Sequence, residues 1–207
     1  MSRLLRDPAA GPETNMARDE EIAREVCLGL AAPTLRIYRW SEPAISLGRR
    51  QKAEELPDST ARLDWPRVRR PTGGGAVLHD LNEWTYALAI PRSALSGCFR
   101  LNDIPGFIHQ RLAAALEEEG GVLPGALSWV EGGSCCGPAP LCFSSPVQGD
   151  LLFKGKKVAG AALRAWREGL LIQGSLQGVP SEGAPLCRAL ERAVEEWLEK
   201  NNAEAGI

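Results

Sequence analysis

The segment from Arg69 to Asp80 restricts the fold more than any other part of the sequence. It contains two arginines, a Pro-Thr pair, three consecutive glycines and the apolar run Ala-Val-Leu. Glycines favour turns and apolar runs favour strands, so we predict a strand, a tight turn and a second strand. Because glycine lacks a Cβ, the backbone amides of Gly73, Gly74 and Gly75 could approach a bound anion or carbonyl. Neither the Walker nor the Rossmann pattern is present, and a simple hairpin between solvated arginines is the alternative.

A second informative block begins at Asp150. Three short apolar segments with turn residues between them predict a three-stranded antiparallel group at 151–153, 157–162 and 169–173. Lys157 lies in this group, and a lysine held on a strand beside a glycine-rich loop can stabilise the negative charge that develops when an acyl group is attacked. The alternative role for Lys157 is a charge at a sheet edge, which is what we expect of Lys154 and Lys156.

These segments together resemble the catalytic domain of the lipoate-protein ligase and octanoyltransferase family. The resemblance rests on the glycine segment, on Lys-Val-Ala-Gly-Ala at 157–161 and on Gln-Gly-Ser-Leu at 173–176. Residues 11–20 are similar to the opening helix of that family, and residues 40–48 to its hairpin before the glycine loop. The resemblance therefore covers most of the chain, from about residue 11 to residue 177.

The resemblance implies an α+β domain with a central mixed or antiparallel sheet flanked by helices, like that of the biotin and lipoate ligases. The predicted elements lead to the same class, because strands and helices do not alternate in regular βαβ units. A chain of 207 residues, 44% of them hydrophobic, can bury one good core. We therefore expect a single catalytic domain over residues 1–207, without a C-terminal accessory domain.

Local patterns predict several further elements. Asn15 is expected to cap a helix that runs to about Leu30, and Asn102 or Asp103 to cap a later one. A final amphipathic helix is expected to begin at Pro185. Two pairs of adjacent strands are predicted at 35–40 with 44–47 and at 76–79 with 84–90.

Composition and charge exclude several classes of function. A net charge of -2 argues against a general nucleic-acid binder, which would have to neutralise many phosphates. No apolar stretch suits a signal peptide or a bilayer span, so we expect a cytoplasmic protein with no membrane partner. The six cysteines are then interpreted as reduced thiols. Basic residues concentrate at 49–70 and 154–167, where they form either a positive rim for an acidic partner or separately solvated charges.

The resemblance implies two alternative reactions. In the ligase reaction, lipoate or octanoate reacts with ATP and Mg²⁺ to give an acyl-adenylate, which a lysine of a lipoyl domain attacks. In the transferase reaction, an octanoyl group arrives as a thioester on acyl carrier protein and passes through a cysteine to that lysine, without a cofactor. The implied acceptors are the lipoyl domains of 2-oxoacid dehydrogenase E2 subunits and the glycine cleavage H protein. A non-catalytic lipoate- or octanoate-binding protein is the alternative from another class.

The resemblance also assigns site residues. Lys157 matches the essential lysine of the family, and Cys142, in Cys-Phe-Ser-Ser-Pro, matches the nucleophilic cysteine of its ligase-like octanoyltransferases. A nearby cation such as Lys157 favours the reactive thiolate, so we favour octanoyl transfer through Cys142, with an inert loop cysteine as the alternative. The residues expected to bind the substrate are Arg70, Thr72, Gly73, Gly74, Gly75, Ala76, His79, Gly160, Ala161 and Gly174.

Some residues depart from the transferase pattern. Gly75 completes a ligase-like triple glycine, and Gln173 stands where many ligases have histidine. ATP-dependent ligation therefore stays open. Cys135, Cys136 and Cys142 have neither Cys-x-x-Cys spacing nor a histidine nearby, so we predict no metal site and keep Cys135 or Cys136 as an alternative thiol.

Overall fold

The computed structural model describes residues 2–95, 100–119, 122–131, 140–179 and 183–205, and only the backbone of residues 201–205. The strands in these ranges are β1 (Arg3–Arg6), β2 (Thr34–Tyr38), β3 (Ala44–Leu47), β4 (Arg67–Arg69), β5 (Val77–His79), β6 (Trp84–Pro91), β7 (Leu127–Trp129), β8 (Leu151–Phe153), β9 (Lys156–Ala165) and β10 (Gly169–Leu176). The α-helices are α1 (Pro12–Cys27), α2 (Asp58–Ala61), α3 (Ile104–Glu118) and α4 (Ala184–Ala205).

A seven-stranded sheet forms the centre of the fold, in the order β1-β2-β6-β10-β9-β8-β7. The pairing of β1 with β2 is parallel and the other pairings in this sheet are antiparallel, so the sheet is mixed. The predicted antiparallel group is confirmed as β8, β9 and β10. The turn between β8 and β9 falls at Lys154 and Gly155, between the predicted strands 151–153 and 157–162, and both residues have positive φ.

Strand β6 separates two hydrophobic cores. Tyr86, Leu88 and Ile90 pack in a cluster with residues of α3 and α4. The intervening Ala87 and Ala89 pack in a second cluster with residues of α1. Because successive side chains of a strand point to opposite faces, helices cover both faces of the sheet at β6. The α+β fold with a central mixed sheet flanked by helices is therefore confirmed.

A second sheet of three strands carries the glycine segment. Its order is β4-β3-β5, with β3 parallel to β4 and antiparallel to β5. The strands predicted on either side of the glycine loop exist, but each pairs with β3 and not with the other.

Both predicted pairs of adjacent strands are wrong. The partners β2 and β3 lie in different sheets, and so do β5 and β6. All four residues of β3, including the polar Ser46, are buried, so buried and exposed residues do not alternate along this strand and its neighbour could not be inferred.

Helix α1 begins before the predicted cap. Pro12 lies in its first turn and Gly11 precedes it. Proline is favoured there because its missing N–H would have no partner inside the helix. Asn15 is consequently a buried residue within the helix, and its side-chain amide donates a hydrogen bond to the Ala10 carbonyl at 2.9 Å. The assignment of Asn15 as the cap was wrong.

Other helix ends also differ from the prediction. Helix α1 ends at Cys27, short of Leu30, and is followed by Gly29 with a φ of 72°, a conformation that terminates helices. Asp103 precedes α3 but makes no capping hydrogen bond through its side chain. Across the part of the chain that the structure describes, no helix combines the length and apolar character that a membrane span requires.

His109 links the stability of the fold to pH. It is fully buried on α3, where Nδ1 lies 2.7 Å from the Gly149 carbonyl and Nε2 3.2 Å from the Tyr86 hydroxyl. Burial lowers the pKa of His109, and the hydrogen bond to Gly149 opposes this only in part. An unfolded histidine has a pKa of about 6.5. Below that pH the unfolded chain gains a proton that the folded chain resists, so stability is lost as the pH falls.

We expect the free energy of unfolding to decrease as the pH falls from about 7.5 to about 5.5, with up to about 1.4 kcal/mol per pH unit from His109. The variant His109→Gln keeps a donor for the Gly149 carbonyl but cannot take up a proton. Its dependence on pH over this range should be weaker. Urea unfolding at several pH values measures the difference, and equal slopes for the two proteins would contradict the assignment.

Candidate active site

The two residues predicted to be catalytic are in contact. Lys157, on β9, places its Nζ 3.4 Å from the Cys142 sulfur and 2.8 Å from the Cys142 carbonyl oxygen. Lys157 is buried and Cys142 is half-buried. A half-buried thiol in contact with a buried ammonium is suitably placed to act as a nucleophile.

Asp150 holds Lys157 in this position. Its Oδ2 lies 2.7 Å from Lys157 Nζ and also accepts the Val147 amide at 2.7 Å. An ammonium has three N–H donors, and Asp150 and the two Cys142 atoms supply three acceptors. Sequence reasoning gave Asp150 no role in the site. Its position just before β8, which pairs with the strand that carries Lys157, was the available signal, since a buried ammonium needs a partner.

Backbone pairing places Cys142 beside the glycine loop. The Ala76 amide donates to the Pro140 carbonyl at 2.9 Å, and the Cys142 amide donates to the Ala76 carbonyl at 2.8 Å. Ala76 and Leu141 therefore form a short parallel bridge. The side chain of Ala76 is buried in the core beneath the small sheet, so Ala76 contributes to the site through its backbone.

Arg70 fixes the shape of the glycine loop. Its side chain donates to the carbonyls of Ser46 at 2.9 Å, Gly73 at 3.1 Å and Gly75 at 2.7 Å. Between the last two, Gly74 has a φ of 85°, a conformation that favours glycine. The predicted substrate-binding residue Arg70 is thus bonded mainly to the loop itself.

Arg70 lines the same cavity as Cys142, and its charge has no carboxylate partner within the described residues. No ion pair among the described residues includes Arg70. Burial lowers the pKa of Arg70 to about 10, and the interaction with Cys142 acts in the opposite direction. Two buried cations thus lie at the cavity of Cys142. Lys157 contacts the sulfur and is paired with a carboxylate, whereas Arg70 lines the cavity without such a pair among the described residues.

Thr72 connects the glycine loop to the large sheet. Its hydroxyl donates to Oε1 of Gln173, on β10, at 2.8 Å. The amide nitrogen of Gln173 in turn donates to Asp19, on α1, at 2.6 Å. Thr72 is fully buried, so it supports the site from within the core. Gln173 can make both hydrogen bonds because its side-chain amide has an acceptor oxygen and a donor nitrogen.

Six of the predicted residues line one small cavity. They are Arg70, His79, Cys142, Gly160, Ala161 and Gly174. The cavity volume is about 30 Å³, close to the share of one water molecule in the liquid. Met16 lines the same cavity. A ligand larger than a water molecule can therefore enter only if lining side chains move.

A larger cleft borders the glycine loop. Its lining includes Gly73, Gly74 and Gly75, three arginines and one glutamate, and its volume is about 590 Å³. The charged residues are Arg49, Arg50, Arg164 and Glu55. Basic residues from two distant parts of the sequence thus converge beside the loop, and the cleft is positively charged.

No group of three or more histidine, cysteine, aspartate or glutamate residues could hold a metal ion within the described ranges. Cys135 and Cys136, the alternative thiols, lie outside those ranges.

Gly160 makes room for the Lys157 side chain. A Cβ at this position would lie 2.5 Å from Lys157 Cε and 2.7 Å from its Nζ. We expect Gly160→Ala to leave the protein folded, because the flexible end of a lysine can move, but to break the contacts of Nζ with Asp150 and Cys142. Any reaction that depends on the contact between Lys157 and Cys142 should slow by more than about tenfold, the loss expected when one charged hydrogen bond is removed. Single-turnover assays beside thermal melts test this, and full activity in the variant would contradict it.

A family model for the lipoyl protein ligase A/B catalytic domain matches residues 11–202. The chain belongs to this family. The resemblance of the glycine, lysine and Gln-Gly-Ser-Leu segments is thereby confirmed. One relative in the family, the octanoyltransferase LipM of Carboxydothermus hydrogenoformans, is 37% identical over 152 residues, which are 72% of this chain and 54% of the relative. The chain thus corresponds to little more than half of that protein.

Solved structures from the family share the fold. The crystal structure of lipoate-protein ligase A bound with ATP has a TM-score of 0.72 and 22% identity, covering 99% of this chain and 92% of its own. The bipartite lipoate protein ligase of Thermoplasma acidophilum, from a study of an archaeal lipoylation system with its E2 lipoyl domain, has a TM-score of 0.69 and 20% identity, covering 99% and 90%. At these identities the likeness concerns the fold alone.

Proposed function

We propose that this chain transfers an octanoyl group to a lysine of lipoyl domains through a thioester on Cys142. The observation that carries the proposal is the contact of Lys157 Nζ with the Cys142 sulfur at 3.4 Å. The name of the curated relative at 37% identity, an octanoyltransferase, favours this reaction within the family.

Transfer takes place in two acyl exchanges at Cys142. In the first, the thiolate attacks the carbonyl carbon of an octanoyl thioester, the bond from that carbon to the donor sulfur breaks, and the departing thiolate takes up a proton. In the second, the neutral amine of the acceptor lysine attacks the Cys142 thioester. An amide forms, Cys142 leaves as a thiolate and the amine nitrogen loses a proton. Both exchanges pass through a tetrahedral oxyanion.

Lys157 is the main donor to that oxyanion. Its hydrogen bond to the Cys142 sulfur is released when the sulfur becomes acylated, which frees one N–H for the substrate oxygen. The amides of Gly73 to Gly75 and the charge of Arg70 add to the positive potential where the negative charge develops. Asp150 keeps its bond to Lys157 throughout, so the ammonium stays in place.

The partners follow from the charge of the cleft. Acyl carrier protein is the proposed donor. The phosphodiester of its pantetheine arm is an anion, which Arg49, Arg50 and Arg164 could bind. The proposed acceptors are the lipoyl domains of 2-oxoacid dehydrogenase E2 subunits and the glycine cleavage H protein. The related archaeal ligase was studied with an E2 lipoyl domain. The cytoplasmic location stays a prediction.

Met16 is the proposed gate for the acyl chain. It lines the small cavity and accepts a hydrogen bond from Gln173 Nε2 at 3.4 Å. Methionine has three flexible torsions and adapts to irregular apolar surfaces, so it can turn aside to admit the hydrocarbon. Octanoate and lipoate chains would both enter by this route.

ATP-dependent lipoate ligation is the second candidate. The cleft of about 590 Å³ favours it, because three arginines beside a triple glycine suit a triphosphate as well as a phosphodiester. Lys157 would then stabilise the acyl phosphate anhydride, and Mg²⁺ would arrive with the ATP. Cys142 has no chemical role in that reaction.

Intact-protein mass spectrometry distinguishes these candidates. The protein is incubated with octanoyl-acyl carrier protein, and in parallel with lipoate, ATP and Mg²⁺, each with and without a lipoyl domain. The variant Cys142→Ser removes the proposed nucleophile. Cys27→Ser is its matched control, because Cys27 is also a half-buried thiol and lies outside the cavity.

A hydroxylamine-sensitive octanoyl adduct that is lost in Cys142→Ser, kept in Cys27→Ser and passed to the lipoyl domain is the expected result. Modification of the lipoyl domain that needs ATP and survives Cys142→Ser would replace the transferase by the ligase. Binding of octanoate or lipoate with no modification under either condition would indicate a non-catalytic carrier.

A further inference from the structure

A continuous chain of buried hydrogen bonds links Glu83 to Arg70. Glu83 Oε1 lies 2.6 Å from His79 Nδ1, His79 Nε2 lies 2.7 Å from the Ser46 hydroxyl, and that hydroxyl lies 3.2 Å from an Arg70 nitrogen. All four residues are buried. Ser46 is on β3, His79 ends β5 and Glu83 precedes β6, so the chain runs from the small sheet to the large one.

With a neutral His79 ring, the donors and acceptors run in one direction along this series of hydrogen bonds. Arg70 can only donate, so the Ser46 oxygen is its acceptor. The Ser46 proton is then free to bond His79 Nε2, and the His79 ring carries its proton on Nδ1, toward Glu83. The two middle members, Ser46 and His79, thus each accept from one side and donate to the other, an arrangement in which successive hydrogen bonds strengthen one another.

The Glu83 end of this series of hydrogen bonds is held rigidly. The Glu83 carboxylate also accepts from the Thr85 hydroxyl at 2.8 Å and from the Gln177 amide at 2.6 Å. The Trp40 ring stacks on His79 with a centroid distance of 3.8 Å and an angle of 19°. The carboxylate and the ring therefore have little freedom, and the position of the Ser46 hydroxyl follows from theirs.

We propose that Ser46, His79 and Glu83 are positioning residues that hold the Arg70 guanidinium where its unneutralised charge stabilises the Cys142 thiolate. Arg70 and Cys142 line the same cavity, and Arg70 also sets the glycine loop that pairs with the Cys142 segment. The inference rests on the proposed function, since it assigns these residues to the nucleophilic step. It gives these three buried residues a function in addition to their packing in the core.

The test measures the reactivity of Cys142 without any octanoyl donor. Alkylation by iodoacetamide is followed at Cys142 by peptide mass mapping over a range of pH. Ser46→Ala removes the hydroxyl but keeps the carbonyl that binds Arg70. We expect its rate profile to move to higher pH by about one unit, with a roughly tenfold slower reaction near neutral pH. Lys157 and Asp150, the other charged groups at the thiol, are unchanged in this variant.

Two further variants distinguish a positioning role of Ser46 from a general disturbance of the fold. In an Arg70→Lys background, Ser46→Ala should cause no further shift, because the residue acts through Arg70 and the two effects are not additive. Thr34→Val is the matched control. It removes another buried hydroxyl, which bonds the Ala32 carbonyl at 2.8 Å, and its profile should equal that of the parent protein.

An unshifted profile in folded Ser46→Ala, or additive shifts in the double variant, would overturn the inference. Ser46→Thr keeps a hydroxyl and should retain the parent profile, and a shift in it equal to that of Ser46→Ala would also count against the inference. Failure of the parent protein to form an octanoyl adduct would instead overturn the proposed function. The two results come from separate assays and are therefore distinguishable.

Discussion

Acyl transfer is expected to stop when Lys157 is replaced by alanine. The substitution removes the donor for the oxyanion and the cation beside the Cys142 thiol, which lies 3.4 Å away. Loss of one such donor alone reduces catalysis by about 10²- to 10³-fold. Since the same group also supports the nucleophile, we expect a reduction of at least this size in the single-turnover rate, measured as octanoylation of Cys142 by mass spectrometry.

Two variants control for other causes of a lower single-turnover rate. Lys156→Ala removes a lysine from the adjacent, exposed position of β9 and should retain the parent rate. Lys157→Gln keeps most of the side-chain length and a hydrogen-bond donor beside Asp150, so it limits the loss of stability from an unpaired buried carboxylate. It should still be inactive, because it lacks the charge. An active Lys157→Ala or Lys157→Gln protein would remove Lys157 from the mechanism under either the transferase or the ligase.

The contact between Lys157 and Cys142 could be predicted because short motifs carry it. Each residue lies in a segment that resembles a family motif, and the resemblance brings the two into one site although 15 positions separate them. The antiparallel group of β8, β9 and β10 was also predictable, since its turns are local and Lys154-Gly155 suits positive φ. Features set by neighbours in sequence were thus readable from the sequence.

Features set by distant neighbours were not readable. The assignment of β3 and β5 to a separate sheet depends on pairing partners, and strands this short and buried have no pattern that selects a partner. Asp150, Ser46 and Glu83 were missed for the same reason. Each is an ordinary polar residue in the sequence, and its role appears only when a buried cation or histidine from another element lies against it.

The buried ion network around Arg36 shows how such long-range pairs support the site. Arg36, on β2, lies 2.7 Å from Asp19 of α1 and 2.7 Å from Asp7. Asp19 also accepts from the Tyr38 hydroxyl at 2.9 Å and from Gln173 at 2.6 Å. Burial raises the pKa of Asp19, while the charge of Arg36 opposes that rise. Through Gln173 the network reaches Thr72, so the same carboxylate stabilises the core and the glycine loop.

Asp19→Ala should therefore be among the most destabilising single substitutions in the chain. Of the two carboxylates that pair with the buried Arg36 cation, it leaves Asp7, and removing one partner of a buried ion pair typically costs about 3–5 kcal/mol. That is a large part of the roughly 5–15 kcal/mol by which domains are stable. Urea unfolding at neutral pH measures the loss. Asp19→Asn, which keeps the shape and one acceptor, provides a milder variant if Asp19→Ala does not fold.

Glu21→Ala is the matched control for the loss of one negative charge from α1. Its carboxylate pairs with Arg18 at the surface, where such pairs contribute at most about 1 kcal/mol, so its unfolding midpoint should stay close to that of the parent. Asp19→Asn should also slow acyl transfer, because Gln173 loses a charged acceptor and Thr72 its fixed partner. If Asp19→Ala lost as little stability as Glu21→Ala, Asp7 would be a sufficient carboxylate partner for the charge of Arg36. The link from α1 to the glycine loop would then contribute to geometry and not to stability.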